Sequence, residues 1–167
     1  GCRMTRPHRI LVVDDDKGAR RLTRATLLRT GFDVAEAEDG AQAISSIRAE
    51  MPELILLDVS MPVKDGFETC AELRALPGGS AVLVMMMTGL DDVQSIEHAF
   101  KVGATDFITK PINWPILAHR VRYMLRASEA INSLQESQRR LSNAQRIGDM
   151  GDWVWSVRED RIVPSEQ

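Results

Sequence analysis

Four apolar stretches of this chain are each followed by polar side chains that could bind a cation and a phosphoryl group. The stretches, each with the polar residues that follow it, are Leu11–Val13 before Asp14, Asp15 and Asp16; Leu54–Leu57 before Asp58; Met86–Met87 before Thr88; and Ile108–Thr109 before Lys110. Short apolar runs are typical of parallel strands buried on both faces. Ligands of an open α/β sheet bind beyond the carboxyl ends of its strands. We therefore expect carboxylates, a hydroxyl and an ammonium to meet in one pocket.

The adjacent carboxylates of Asp14 and Asp15 require a counter-charge, because two such charges about 4 Å apart repel by roughly 4 kcal/mol at an effective dielectric constant of about 20. Mg²⁺ suits this pocket because it takes oxygen ligands, keeps several waters and often completes its shell with phosphate oxygens. We predict that Asp14, Asp15 and Asp58 bind Mg²⁺, with Mn²⁺ as the alternative ion. Asp16 is expected to cap the helix that follows it.

Asp58 is the candidate nucleophile, because it stands alone after its strand while the acidic pair holds the metal. A carboxylate can attack phosphorus and carry an acyl phosphate. Lys110 would neutralise phosphoryl oxygens and the Thr88 hydroxyl would donate a hydrogen bond to them. Each side chain is ordinary by itself, but five of them at strand ends favour a functional site.

An alternation of strands and helices has to position these residues. The patterns predict strands over 10–13, 32–37, 54–57, 81–87 and 105–108, and helices over 17–30, 39–49, 65–76, 91–102 and from 113 onward. Leu22, Ala25 and Leu28 form the expected apolar side of the first helix. Five strands alternating with five helices predict an α/β fold, a doubly wound parallel sheet with helices on both faces.

Composition restricts the functional classes. The chain has 167 residues, a net charge of -3, 44% hydrophobic and 27% charged residues, which fits one globular domain with an extension. A net negative charge argues against binding nucleic acid or an anionic membrane. Two cysteines in unrelated contexts suit a cytoplasmic protein, and no apolar run reaches membrane-spanning length. Residues 1–8 are expected to be a disordered N-terminus or a cloning remnant.

A long helix is predicted beyond the alternating region. It carries an imperfect apolar seam of mostly three-four spacing, weakened by the polar Ser128 and Gln138 and shifted in register near Leu134: Leu117, Val121, Met124, Ser128, Ile131, Leu134, Gln138 and Leu141. Pro115 to Leu125 can pack on the domain, whereas Ile131 to Leu141 lies too far from that core. We therefore expect 127–147 to be a helical linker, a candidate coiled coil that pairs with a second copy to give a homodimer.

The motifs together resemble the receiver domain of bacterial response regulators over 9–126. The resemblance rests on Ile10–Asp16, Leu54–Asp58, Met61-Pro62 with Gly66, Thr88-Gly89, and Gly103–Pro111. It implies a flavodoxin-like sheet of strand order 2-1-3-4-5. It also implies that Asp58 accepts a phosphoryl group from a histidine kinase or a histidine phosphotransfer protein. Asp14, Asp15, Asp58 and the Ser60 backbone carbonyl would bind Mg²⁺, and Thr88, Gly89 and Lys110 the phosphoryl group.

The same resemblance implies a switch and a cis peptide bond. A phosphoryl oxygen would draw in the Thr88 hydroxyl, and the Phe107 ring would rotate into the space that opens. The bond before Pro111 would be cis. The state would pass through the last helix to a downstream output region. Ser60 and Leu90 occupy variable positions beside the site, and they leave the lifetime of the phosphoryl group open.

The last stretch resembles the opening of a PAS sensor domain. Ala144–Trp155 combines an Arg-Ile helix end with a Gly-x-Trp-x-Trp pattern on a first strand. The resemblance implies that 148–167 begin a truncated PAS-like domain, with Trp153 and Trp155 on an incomplete strand edge.

Two other functions compete with the receiver interpretation. Haloacid-dehalogenase-like phosphatases also use a strand-end Asp, a Thr, a Lys and Mg²⁺, and Asp14 and Asp16 match their Asp-x-Asp spacing. Those enzymes also need an acidic group after the Lys, and residues 111–113 offer none. The third possibility is a dimerisation module that works without phosphorylation.

Overall fold

The computed structural model describes residues 6–89 and 93–158, with side chains up to residue 145. Two compact units divide the chain: the first ends at Leu125 and the second begins at Arg126. Each unit is described by itself below.

A five-stranded parallel sheet forms the centre of the first unit. Its strands are β1 (Arg9–Val13), β2 (Asp33–Ala37), β3 (Leu54–Asp58), β4 (Leu83–Thr88) and β5 (Asp106–Thr109). The order is β2-β1-β3-β4-β5, which confirms the flavodoxin-like topology. Val13 pairs with Leu57, and Asp58 pairs with Met87. The strands therefore end almost in step, and the residues that follow them share one edge.

The helices are α1 (Lys17–Thr30), α2 (Gly40–Ala49), α3 (Gly66–Ala75), α4 (Val93–Lys101) and α5 (Trp114–Arg158), with a short 3₁₀ turn at Gly79–Ala81. Asp16, Asp39 and Asp65 cap the first three helices, and each accepts a hydrogen bond from a backbone N–H of the first turn. Within the described residues, no helix is both long and apolar enough to span a membrane.

Two apolar layers cover the sheet, one on each face. Leu11 and Val13 face one layer, whereas Ile10 and Val12 face the other. Leu117 and Val121 of α5 complete the second layer. Because strands buried on both faces need apolar residues at every position, the sequence of β1, β3 and β4 shows no alternation.

The buried face of α1 differs from the predicted one. Thr23, Thr26 and Leu27 are buried, while Leu22 is 57% exposed and Leu28 is 42% exposed. The threonine hydroxyls donate to the carbonyl oxygens four residues earlier, at 2.9 and 3.0 Å. Threonine can be buried here because its polar group is satisfied inside the helix. The predicted apolar side of α1 is therefore exposed to solvent, and the prediction of that side as buried is wrong.

One predicted boundary requires correction, and a second is not tested. β4 begins at Leu83 instead of Ala81, because Gly78 adopts a left-handed conformation (φ +80°) and starts the 3₁₀ turn. The predicted start of the fourth helix at Asp91 lies outside the described residues, which resume at Val93.

The strand predicted at Trp153–Trp155 is wrong, because α5 continues through Arg158. A single strand depends on neighbouring strands to satisfy its backbone hydrogen bonds. A helix satisfies these groups within the segment. The sequence pattern that resembles a PAS opening is therefore not folded as one here, and residues 159–167 lie outside the described part.

Candidate functional site

Three carboxylates meet at the carboxyl edge of the sheet. Asp14 and Asp15 directly follow β1, and Asp58 is the last residue of β3. One oxygen from each carboxylate lies within 4.8 Å of the other two. Asp14 is 1% exposed and Asp58 is 2% exposed, whereas Asp15 is exposed. The cluster therefore reaches from the buried sheet edge to solvent.

Backbone contacts fix the position of Asp14. Its Oδ1 accepts a hydrogen bond from the Asp16 N–H at 2.9 Å, and its backbone N–H donates to the Ala37 carbonyl at 3.2 Å. Arg20 donates to the Asp14 carbonyl at 2.8 Å. The Asp16 carboxylate instead accepts from the N–H groups of Gly18 and Ala19, as a helix cap does. Asp16 therefore lies outside the carboxylate cluster.

Lys110 forms an ion pair with Asp58. Its Nζ lies 3.0 Å from Asp58 Oδ1, and the Ser60 N–H donates to the same oxygen at 3.3 Å. Both hydrogen bonds fall on Oδ1, so among the described residues Oδ2 is left for a further ligand. The Lys110 backbone N–H donates to the Thr88 carbonyl at 2.8 Å, which ties the lysine to the end of β4.

Burial raises the pKa of Asp58 from its ordinary value of 3.8 to about 6. The hydrogen bond from Lys110 lowers this pKa, and the negative charge of Asp14 raises it again. One lysine therefore does not compensate the loss of water and the repulsion between carboxylates. A divalent cation among these oxygens would supply the missing positive charge, and three carboxylates are the hard donors that Mg²⁺ prefers.

Gly66 allows the segment after Asp58 to fold back against β3. The Gly66 N–H donates to the Val59 carbonyl at 2.9 Å. A Cβ at this position would lie 2.4 Å from the Asp58 carbonyl oxygen and 2.8 Å from the Val59 Cα. Because both neighbours are backbone atoms, only glycine fits here without displacing β3.

Val63 occupies a strained turn in the same segment. Its φ is +69°, and the Lys64 N–H donates to the Pro62 carbonyl at 2.7 Å, which makes a γ-turn with positive φ at its central residue. The Val63 side chain is fully exposed. Sequence reasoning missed this residue, because a valine in a loop gives no signal of positive φ.

Thr88 and Phe107 both line a small cavity. The cavity, of about 10 Å³, also touches Val59, Phe67, Met86, Ser95, Ile96 and Ala99. It is close to the size that holds one water. The half-buried Phe107 ring packs edge-on against Phe100 with centroids 5.9 Å apart, and Arg120 donates to the Phe107 carbonyl at 2.9 Å.

The remaining predicted site residues lie at the same edge. Ser60 is exposed two residues after Asp58, and Gly89 is exposed directly after Thr88. The Lys110–Pro111 peptide bond is cis. Leu90 lies outside the described residues.

Comparison with known proteins identifies the family. A model of the response regulator receiver domain matches residues 10–122, which is more than half of the chain. The chain belongs to the response regulator receiver family. Receiver domains are signalling domains of two-component systems, which confirms the receiver assignment made from the sequence.

Several relatives show how much of the chain is shared. Response regulator PleD of Caulobacter vibrioides is 37% identical over 140 residues, covering 84% of this receiver and 30% of PleD. Response regulator MprA of Mycolicibacterium vanbaalenii is 36% identical over 131 residues, covering 78% and 56%. A probable transcriptional regulator, ycf27 of Porphyridium aerugineum, is 38% identical over 125 residues, covering 75% and 51%. The chain thus spans about half the length of these relatives, and less of PleD.

Solved structures share the fold of this receiver. The chemotaxis protein CheY4 of Vibrio cholerae superposes with a TM-score of 0.69 at 28% identity, covering 71% of this chain and 98% of CheY4. The signal receiver domain of a histidine kinase from Syntrophus aciditrophicus gives a TM-score of 0.67 at 31% identity, covering 72% and 91%. None of these comparisons supports a PAS domain after α5.

Proposed function

We propose that this receiver accepts a phosphoryl group on Asp58 from a histidine kinase or a histidine phosphotransfer protein. The observation that carries the proposal is the buried Asp58 carboxylate, held by Lys110 beside Asp14 and Asp15. A carboxylate oxygen of Asp58 attacks phosphorus while the P–N bond of a phosphohistidine breaks. The histidine ring nitrogen keeps the electron pair of that bond and takes a proton from solvent.

Asp14, Asp15, Asp58 and the Ser60 carbonyl would bind Mg²⁺, or Mn²⁺ in its place. The ion would supply the positive charge that offsets phosphoryl oxygens and carboxylates. Lys110 neutralises a phosphoryl oxygen, since its Nζ already lies beside Asp58. The Thr88 hydroxyl and the Gly89 N–H donate to the other oxygens. In-line phosphoryl transfer requires mainly this positioning and charge stabilisation.

Thr88 and Phe107 form the proposed switch. Movement of the Thr88 hydroxyl toward a phosphoryl oxygen would free space beside the cavity that both side chains line. The Phe107 ring, which is only half-buried, can turn into that space. A local charge contact would thereby select between two packing arrangements.

The helix α5 is proposed to carry this state to an output region and to pair with a second copy of the chain. The exposed apolar side chains of Ile131, Leu134 and Leu141 on this helix support the pairing. A PAS output is not included, because the residues that resemble its opening are helical. A cytoplasmic location is supported by the free, buried thiol of Cys70, which suits a reducing compartment.

The decisive experiment is phosphorylation with acetyl phosphate and Mg²⁺, followed by mass spectrometry of the intact chain and its peptides. We expect the mass of one phosphoryl group on the peptide that contains Asp58. Asp58→Asn should abolish the labelling, while Asp16→Asn should keep it, because Asp16 only caps α1. Labelling that survives in Asp58→Asn would contradict the proposal.

This labelling and a separate measurement of self-association distinguish the competing functions. A phosphatase of the haloacid-dehalogenase type would carry the phosphoryl group on Asp14 and use Asp16 as its second carboxylate. The capping role of Asp16 disfavours this arrangement. A passive dimerisation module would show no change in self-association when beryllofluoride and Mg²⁺ are added.

A further inference from the structure

Residues 126–145 of α5 present one row of apolar side chains to solvent. Ile131, Leu134 and Leu141 are 56%, 60% and 65% exposed. Together with Gln138 they form what we call the α5 seam. Such side chains recur on one side of the helix, which is typical of a helix that packs against another helix.

The α5 seam follows a heptad repeat. The intervals from Ile131 to Leu134, Gln138 and Leu141 are three, four and three residues. In heptad positions, Ile131, Gln138 and Gln145 fall at a, and Ala127, Leu134 and Leu141 fall at d. A repeat of this length keeps the a and d side chains on a single face of paired helices.

Charged side chains avoid the seam and its flanks. The five charged residues between 126 and 145 all occupy positions b, c and f: Arg126, Glu129, Glu136, Arg139 and Arg140. Positions e and g hold small or uncharged residues: Ser128, Ala130, Gln135, Ser137, Ser142 and Ala144. Arg140 donates to Glu136 one turn earlier, on the side opposite the seam. The same face of a second copy could therefore pack here without repulsion between like charges.

The residues at a and d also favour a parallel pair with a second copy of this chain. A β-branched residue at a with leucine at d, as at Ile131 and Leu134, favours two-stranded parallel coiled coils. Gln138 would face its own copy in a parallel pair that is in register, where the two amides can donate to and accept from each other. An antiparallel pair would instead set each amide against an apolar d residue and leave it without a partner.

From this pattern we propose that residues 127–145 form a parallel, in-register coiled coil with a second copy of this chain, and that Gln138 sets the register. The inference rests on the dimer of the proposed function and adds its orientation and alignment. It depends only on the second unit of the chain and not on the chemistry of Asp58.

Disulfide cross-linking of the full chain tests the orientation. Ala127→Cys, Leu134→Cys and Leu141→Cys would be made separately in a Cys2→Ser background, with the buried Cys70 retained. Identical d positions face each other along the whole length of a parallel pair, so all three variants should oxidise to covalent dimers. Glu136→Cys and Asn143→Cys, at position f, serve as matched controls and should stay monomeric under the same oxidation.

Other arrangements give distinct results. Cross-linking at only one d position would indicate an antiparallel pair, and species larger than a dimer in sedimentation would indicate a helical bundle. A monomer that cross-links at none of these positions would remove the dimer altogether. Labelling of Asp58 with acetyl phosphate is measured on every variant. Intact labelling without cross-links would overturn the coiled coil and leave the phosphoacceptor function standing.

A charge placed in the seam tests the register without cysteine. Gln138→Glu sets two carboxylates against each other in the parallel pair, and we expect its dissociation constant to rise about tenfold or more. Arg139→Glu makes a larger change of charge at position b and should alter dimerisation little. Equal effects of the two substitutions would contradict the proposed role of Gln138.

Discussion

Asp58 is nearly fully buried, yet it must be ionised to attack phosphorus. Desolvation by burial raises the pKa of Asp58 to about 6, and the negative charge of Asp14 adds to this effect. The hydrogen bond from Lys110 opposes both only in part. The folded protein without metal therefore binds a proton at Asp58 more tightly than the unfolded chain does. The site that would make this residue reactive also lowers the stability of the fold.

Replacement of Asp58 by Asn should therefore stabilise the metal-free protein at neutral pH. In the parent protein, the contribution of Asp58 to the free energy of unfolding is greatest below about pH 4. This contribution is lost as the pH rises to about 6 and above. Asparagine stays neutral and avoids this loss, so we expect Asp58→Asn to gain about 1–3 kcal/mol above pH 7. Urea unfolding with a chelator present, measured at several pH values, gives the difference.

Three comparisons make that result specific. The gain should shrink toward zero as the pH falls to about 4, because the parent carboxyl is then protonated. Mg²⁺ added at neutral pH should also reduce it, by stabilising the parent protein. Asp16→Asn removes a carboxylate from the same loop and should change stability little, because asparagine caps a helix about as well as aspartate does. A gain that does not depend on pH would contradict the assigned cause.

Val63 illustrates strain at a single residue. A β-branched side chain at φ +69° is disfavoured by roughly 1–2 kcal/mol, and the exposed side chain makes no compensating core contact. Val63→Gly should stabilise the protein by about 0.5–1 kcal/mol after the entropy cost of glycine. Val63→Ala keeps a Cβ and should gain much less. Thermal unfolding of the three proteins side by side measures the effect, and equal melting temperatures would refute the strain.

At the scale of elements, Arg74 of α3 ties two connections of the fold together. Its guanidinium donates to the carbonyl oxygens of Gly103, Gly79 and Val82 at 2.6–3.0 Å. Gly79 and Val82 lie between α3 and β4, and Gly103 lies between α4 and β5. Arg74 was not among the residues that sequence reasoning singled out, because an arginine in a helix is usually exposed.

Arg74→Met should destabilise the first unit by about 2–4 kcal/mol, because methionine keeps most of the apolar stem but leaves these carbonyls without their charged donor. Urea unfolding provides the measurement. Arg139→Met, on the exposed part of α5, is the matched control and should change stability little. A loss equal to that of the control would show that solvent replaces the four hydrogen bonds.

The face of α1 shows the limit of periodicity as a predictor. Apolar spacing selected Leu22, Ala25 and Leu28, whereas the sheet covers Thr23, Thr26 and Leu27. Threonine hydroxyls bonded within the helix make the difference, and hydropathy counts them as polar. The cap at Asp16 was predicted, and Asp39 and Asp65, predicted as helix starts, are the caps of α2 and α3, because capping depends on local sequence.

At the scale of the whole molecule, topology converts distant sequence segments into one site. Residues 14, 58, 88 and 110 are separated by tens of positions, but parallel strands in the order β2-β1-β3-β4-β5 place them at one edge. The family model extends over residues 10–122, which lie within the first unit. Pairing through α5 is therefore a property to be tested in this chain itself.

The sequence alone determined the α/β class, the number and approximate limits of the elements, and the residues of the acidic edge. These follow from apolar run length, helix caps and strand-end polar residues, which are local signals. Only the tertiary structure decided which face of α1 is buried, that Lys110 pairs with Asp58, how Arg74 is used and where Val63 is strained. The first three depend on contacts between separate elements, and such contacts arise only when the sheet and its helices pack. The positive φ of Val63 belongs to a local turn, but a valine in a loop gives no signal of it.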